Sequence, residues 1–305
     1  MGHGARGGPC PRRLVSYARM RSRTAALAAA ALGLVACTIG CSPRPVAGPG
    51  GPPPPTPVPD YRDLVARHNH AVPNVQRLSA FAVVSLRWQE DGQRRSEQGE
   101  GILAVVLPGK LSLTLGKLHD LFRIGSDGQR YWFIDLSDDP AIAHVGRHEQ
   151  AASTSLRKLD TIVMPHDLIR LLGLLPIDPL REPKPPAVVR YGNQFLIEPP
   201  GSRMRILLDE KTARPRRIDL LDAEGFSRVS AQLSRYDHLE TTGIPPGSWP
   251  TTATMIEIRD LQTDNTAKLS LSDLIGDEEE INDRWFSLES LVEAYEAKVH
   301  NLDRP

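Results

Sequence analysis

The sequence predicts a mainly β fold of the α+β kind, an incomplete antiparallel barrel of about 10–11 strands with covering helices. Three observations carry that expectation. Apolar and polar residues alternate at a period of two through much of 80–271. Turn signals such as Asp91-Gly92, Pro108-Gly109 and Ser126-Asp127-Gly128 interrupt the alternation at short intervals. Helical periodicity intrudes only before the strands, once among them and once after them. Successive hairpins make a meander the economical topology, and a long sheet with unlike faces curls rather than staying flat.

The first helix is expected over 60–69. Asp60 suits an N-cap, Tyr61, Leu64 and Val65 fall at helical spacing, and Pro73 stops the pattern. His68-Asn69-His70 reads as its polar terminus. Strands follow. Ala80, Ala82, Val84, Leu86 and Trp88 alternate with their neighbours, 101–107 is apolar and β-branched, and Leu111, Leu113 and Leu115 alternate with Ser112 and Thr114. Phe122-Arg123-Ile124 and Tyr131-Trp132-Phe133-Ile134 flank a turn, and 141–145 forms one more strand. Residues 165–173 then carry proline at a helix start, a 3.6-period apolar face and glycine near the stop. After a Pro-rich passage at 176–186, Met204/Ile206/Leu208, Ile218/Leu220, Val229/Ala231/Leu233, 254–258 and Ala267/Leu269/Leu271 resume the period of two.

The ends read differently. Residues 1–23 hold six arginines and no acid, and an apolar run over 25–35 follows, the pattern of an export signal. The run is too short to span a bilayer. Met20 offers a more compact start. Leu34-Val35-Ala36-Cys37 resembles the lipobox of bacterial lipoproteins, and Thr38-Ile39-Gly40-Cys41 is a second candidate. Cys37 and Cys41 are therefore the two candidate lipidation sites, and no cysteine follows them. Ser42 to Pro59 holds nine prolines and three glycines, an extended tether of about 50 Å reach. Neither Thr38 nor Ser42 is aspartate, which, by resemblance to the lipoprotein sorting rule, favours the outer membrane facing the periplasm. Residues 273–305 hold ten acids and three bases. After the acidic run 277–280, Leu288, Leu291, Val292, Tyr295 and Val299 form an apolar stripe, expected as a helix that covers the barrel, closes over it or binds a partner. The divisions are thus 1–36 signal peptide, 37–59 lipidated cysteine and tether, 60–272 half-barrel and 273–305 acidic amphipathic helix.

The run 109–118, the segment Phe122 to Gly128, the strand Tyr131 to Ile134, the insert Val163-Met164-Pro165-His166-Asp167 through Gly173, and the loop Ile244-Pro245-Pro246 together resemble the periplasmic lipoprotein carrier and outer-membrane receptor (Lol) superfamily over about 60–272. The resemblance implies an incomplete barrel closed on one side by helices, whose apolar concave face holds acyl chains. It implies ligand-facing roles for Val84, Leu86, Trp88, Leu113, Leu115, Trp132, Ile134, Met204, Ile206, Val229 and Leu233, and a membrane-seeking loop tip at Leu118. Lys117, His119 and Asp120 make that loop polar. The partners implied are a membrane reached through the N-terminal lipid, and acyl chains or other lipoproteins, with the chain a monomer. The alternative is a packed barrel serving as a structural or scaffolding lipoprotein.

Other chemistry is weakly supported. Lys and Arg balance Asp and Glu at 37 each, so no basic excess points to nucleic acid. His144 and His148 are four apart, but Gly146 and a strand-like start argue for a solvated loop rather than a metal site. His119-Asp120 and His166-Asp167 are adjacent pairs, which do not orient one another as a catalytic dyad does. No nucleophile elbow, P-loop or dinucleotide motif occurs. A non-enzyme without cofactor or metal is expected. Arg203, Arg205, Arg214, Arg216 and Arg217 read as the solvated face of a hairpin or a patch for anionic headgroups.

Overall fold

The computed structural model describes residues 57–72, 76–90, 92–117, 120–137, 139–151, 163–179, 186–276 and 281–303. Cys37, Cys41 and Leu118 lie outside them. Residues 56–305 form one compact unit.

Helix α1 (Tyr61–Ala71) begins as its sequence predicts, with the Asp60 carboxylate accepting from the Arg62 amide at 2.8 Å. Its buried face is Tyr61, Leu64, Val65 and His68. Six strands follow as a meander: β1 (Arg77–Glu90), β2 (Gln93–Val106), β3 (Lys110–Lys117), β4 (Asp120–Asp127), β5 (Arg130–Asp135) and β6 (Ile142–Arg147). Helix α2 (Pro165–Leu171) interrupts them. Then come β7 (Val189–Tyr191), β8 (Gln194–Ile197), β9 (Met204–Asp209), β10 (Pro215–Leu221), β11 (Ser227–His238), β12 (Glu240–Thr241), β13 (Thr251–Asp260) and β14 (Thr266–Gly276). Helix α3 (Leu288–Ala294) and strand β15 (Lys298–Asn301) end the described chain.

All the strands join one sheet of fifteen, in the order β15-β6-β5-β4-β3-β2-β1-β14-β13-β11-β10-β9-β8-β7, with β12 beside β14. The expectation of ten or eleven strands misses mainly short ones. Strands β7, β12 and β15 have two to four residues, too few to display a period. No pairing joins β7 to β15, so the barrel is open. It is nevertheless strongly curved. Helix α2 touches β3, β4 and β5 on one side and β10 on the other. Between β3 and β10 lie six strand spacings, about 29 Å in a flat sheet, whereas a helix is about 10–12 Å across. One helix reaches both only if the sheet curls around it.

Register assigns the faces. Leu113 pairs with Leu103 and Ile124, Leu103 with Ala80, Val84 with Leu269, Leu269 with Ile256, Ile256 with Leu233, and Ile218 with Ala231 and Ile206. These side chains, with α1, α2 and Leu174 and Ile177, make one continuous core on the concave side. The convex side of β5 and β6 is also covered. Trp132, Ile134, Ala143 and Val145 pack against Leu288 and Leu291 of α3. Farther along, Ile281 and Phe286 pack on Ala104 of β2.

The tail therefore departs from its expected form. The apolar stripe folds as seven residues of helix, after which the chain extends and β15 pairs parallel with β6. Val299, on that strand, is 53% exposed. Val292 of α3 and Tyr295 just after it pack partly buried against the same wall, and Arg130 pairs with Glu289 at 2.6 Å. In this structure α3 covers the convex wall and leaves the concave side to α1 and α2.

Candidate functional site

Nine of the eleven apolar-face candidates share the concave register: Val84, Leu86, Trp88, Leu113, Leu115, Met204, Ile206, Val229 and Leu233. Trp132 and Ile134 do not. Gly125, the partner of Trp132, alternates with Ile124 and Ser126, so both β5 residues face the convex wall, under α3. Their neighbours Tyr131 and Phe133 take the concave side, near Met164 at the start of α2. Most of the concave set is already covered. Val84, Leu113, Ile206, Val229 and Leu233 are each buried in the core that the helices complete.

The face is not covered throughout: Leu86, Trp88 and Leu115 are only half-buried. A cleft of about 280 Å³ lies between the segment following α2 and strands β9 and β10. Its floor is Ile206, Ile218, Pro215 and Ile177, all buried, with Met204 partly exposed. Its rim includes Arg170, Pro176 and Asp178, all exposed. Gly173 lets the chain turn from α2 into this covering segment. Its φ is +69°, and a Cβ there would stand 2.9 Å from a Leu233 methyl carbon. The cover is fastened by Asn69 of α1, whose side-chain amide donates to the Ile177 carbonyl at 2.7 Å and accepts from the Ile177 amide at 2.8 Å. Arg67 donates to the carbonyls of Glu210 and Lys211 at 2.8 and 3.1 Å, tying α1 to the β9–β10 turn. His68 lines the inner part of the cleft, 1% exposed, with Nδ1 3.3 Å from the Ala213 carbonyl. Burial lowers its pKa, against the raising effect of the backbone hydrogen bonds to Ala213 and Leu175. The polar terminus read from His68-Asn69-His70 is thus a clasp at two of its three residues, His68 buried and Asn69 half-buried. The sequence signal was available, because His68 is the i+7 member of the Tyr61, Leu64, Val65 face.

A second polar cluster sits where α2 begins. His148, in a 3-10 turn (His148–Gln150), packs edge-on against His166 with ring centroids 4.6 Å apart. His148 and His144 are not companions as their spacing suggests. His144 lies on β6 opposite His300 of β15, with centroids 5.6 Å apart. The Ser126 hydroxyl donates to the Gly109 carbonyl at 2.9 Å, so His148 Nε2, 2.8 Å away, is assigned as donor to Ser126. Burial and then the charge of His166 push the His148 pKa down to about 4. Asp167 is held by Arg228 at 3.1 Å, His166 at 3.3 Å and Arg170 at 3.6 Å. This cluster fastens α2 to β11. Among the described residues, no group of three or more His, Cys, Asp or Glu side chains is placed to hold a metal ion.

The arginine cluster of β9 and β10 is largely engaged. Arg205 pairs with Glu198 at 2.7 Å, Arg216 with Asp209 at 3.1 Å and Arg217 with Asp219 at 2.7 Å, while Arg214 lies over the Tyr236 ring.

Comparison with known proteins bears on the fold. No family profile matches the chain. No curated protein matches it either. Its neighbours among solved structures are LolA-superfamily and DUF1329 proteins. A DUF1329 family protein from Desulfovibrio piger is 14% identical, with 77% of this chain and 99% of that chain covered and a TM-score of 0.42. A LolA superfamily protein from Nitrosomonas europaea is 11% identical over 75% and 98% of the two chains, with a TM-score of 0.46. A domain from Vibrio parahaemolyticus, described as an outer membrane lipoprotein-sorting protein, is 10% identical over 75% and 97%, with a TM-score of 0.47. No residue role is carried across from them.

Proposed function

We propose that this chain is an exported, lipid-anchored protein of the bacterial envelope whose half-barrel binds acyl chains of lipids or lipoproteins. The observation that carries this reading is the cleft beside β9 and β10, an apolar floor with a polar rim on the concave face. Apolar binding is non-directional and scales with buried area, so such a floor suits a chain without polar features of its own. The cleft's 280 Å³ is the share of about nine water molecules, room for about that many methylenes. At about 0.8 kcal/mol per methylene, the gross gain is about 7 kcal/mol. A longer chain requires the segment 174–178 to move. The basic, then apolar, N-terminal residues ending at Cys37 or Cys41 support export and lipidation, and the Pro-rich tether supports a domain that stands off an outer membrane on its periplasmic side.

Native mass spectrometry of the protein purified under mild conditions tests the binding reading. A co-purified lipid mass is expected, reduced in Met204→Trp, which fills the cleft from a half-buried position. A second reading, a structural or scaffolding lipoprotein with a packed barrel, is favoured by the continuous core that α1 and α2 make with much of the concave face. Lipid-free protein that also takes up no added acyl compound decides for it. The anchor is read separately: Cys37→Ser and Cys41→Ser in turn, with the one that abolishes the acylated N-terminus identifying the lipidated residue.

A further inference from the structure

We propose that a second cleft, where the β1–β2 hairpin passes the β13–β14 turn, binds a phosphate monoester, and that Arg87 and Arg94 grip its oxygens. This site is separate from the acyl-binding cleft and does not depend on that reading. Its volume is about 490 Å³. Register sets most of its lining on the convex face, since Arg87 follows the concave Leu86. Arg87 faces Thr266 of β14 on one side and Ser96 of β2 on the other, and Thr266 in turn faces Arg259 of β13. Arg94, opposite Gln89, stands on the diagonal from Arg87. Diagonal neighbours on paired strands lie about 7–8 Å apart, within reach of two long side chains that meet on one ligand. The Gln89 amide donates to Asn265 Oδ1 at 3.4 Å and ties the hairpin to the turn.

Charge decides the class of ligand. Four guanidiniums and two carboxylates line the cleft. Arg259 Nε donates to Asp264 Oδ1 at 2.6 Å, and Arg95 is held by Glu90, just outside the lining, at 3.3 Å. Glu257 is the other lining carboxylate, and Lys268 stands opposite it in the register. Arg87 and Arg94 are exposed and make no ion pair among the described residues. With Glu90 and Lys268 counted alongside the lining, the described groups hold two positive charges in excess. Two guanidiniums this close repel one another, and an anion between them turns that repulsion into attraction. A phosphate monoester matches the excess, with a charge of about −1.5 to −2 at pH 7 and three terminal oxygens. Each guanidinium can meet such oxygens with two parallel hydrogen bonds. The hydroxyls of Thr266 and Ser96 flank Arg87 as further donors.

Titration calorimetry at low ionic strength, with glycerol 3-phosphate and with glycerol as the neutral control, tests this. Binding of the phosphate ester alone is expected. The double variant Arg87→Gln, Arg94→Gln should weaken it about ten-fold with an unchanged melting temperature, because both side chains are exposed. Glu257→Gln should tighten it about three-fold by removing a repelling carboxylate. Lys298→Gln, on β15 at the far edge of the sheet, should leave it unaltered. Undiminished binding by the double variant, or an equal loss in Lys298→Gln, overturns the site. Flotation with phosphatidylcholine vesicles, with and without phosphatidic acid, separates the two sources of such a phosphate. Binding to the phosphatidic acid vesicles that needs Arg87 and Arg94 and is competed by glycerol 3-phosphate assigns the site to a lipid headgroup. Binding of the soluble ester without flotation assigns it to a free phosphate ester. Binding of neither overturns the proposal and leaves the acyl reading standing.

Discussion

Single residues set the wall thickness of this molecule. A Cβ on Gly125 would lie 2.4 Å from the Trp132 indole, and one on Gly146 would lie 2.3 Å from the Tyr131 hydroxyl. Each glycine makes room for the aromatic residue opposite it on β5. Gly125→Val is therefore expected to cost about 3 kcal/mol by overpacking, read as a lowered midpoint in urea. Gly247→Ala, where an added Cβ meets nothing within 4 Å, should stay near the unaltered value. At His148 the effect is one of pH. Its folded pKa of about 4 lies below the ordinary 6.5. Stability from the neutral ring is then complete above pH 6.5 and is lost as pH falls through that value toward 4. With the ring partly open to solvent, the loss is discounted to about 1–2 kcal/mol. His148→Gln, which retains a donor for Ser126, should flatten the fall in melting temperature between pH 7 and pH 4. An unchanged slope would show that His148 does not set it.

Elements were legible where their signals are local. The Asp60 cap, Pro165 at the start of α2 and Gly173 after its end all act where their sequence context places them. The assignment of faces was not legible on β5, because Tyr131, Trp132, Phe133 and Ile134 are all apolar and all buried. A period of two carries no information when both faces are covered. The same limit applies to Asn69, whose partner Ile177 lies 108 residues away. Asn69→Ala strands the Ile177 amide and carbonyl and is expected to cost about 1–3 kcal/mol. It should also speed amide hydrogen exchange over 174–178 while leaving β1 and β14 protected. Uniform exchange across the chain would show that the clasp supports the whole fold rather than the cleft's cover.

At the scale of the whole molecule, the concave face of the sheet is packed against α1 and α2, the convex face is covered over β5, β6 and part of β2, and among the described residues the strand order ends at β7 and β15. The tail is part of the convex wall, so truncation before Ile281 uncovers Trp132, Ile134 and Ala104. The truncated protein should bind a hydrophobic dye strongly and melt lower, and unchanged dye binding would exclude the tail as cover. The tail also accounts for the neutral total charge. Its ten acids and three bases offset six arginines in 1–36, leaving residues 37–272 close to neutral. The balance of 37 against 37 is thus a sum of segments with different tasks, not a property of the barrel.

The sequence by itself determined the strand period, the turns, the helix starts and the class of fold, because each of these is decided by residues within a few positions of one another. Of the eleven candidates that the resemblance implied, alternation carries nine to the concave side. The tertiary structure decided which way the sheet curls, which face of β5 is inside, which histidines meet and where the concave side stays open. Those outcomes depend on contacts between residues far apart in the chain. Asn69 with Ile177, Arg228 with Asp167 and Leu291 with Trp132 are brought together by the folded chain and not by nearness in sequence.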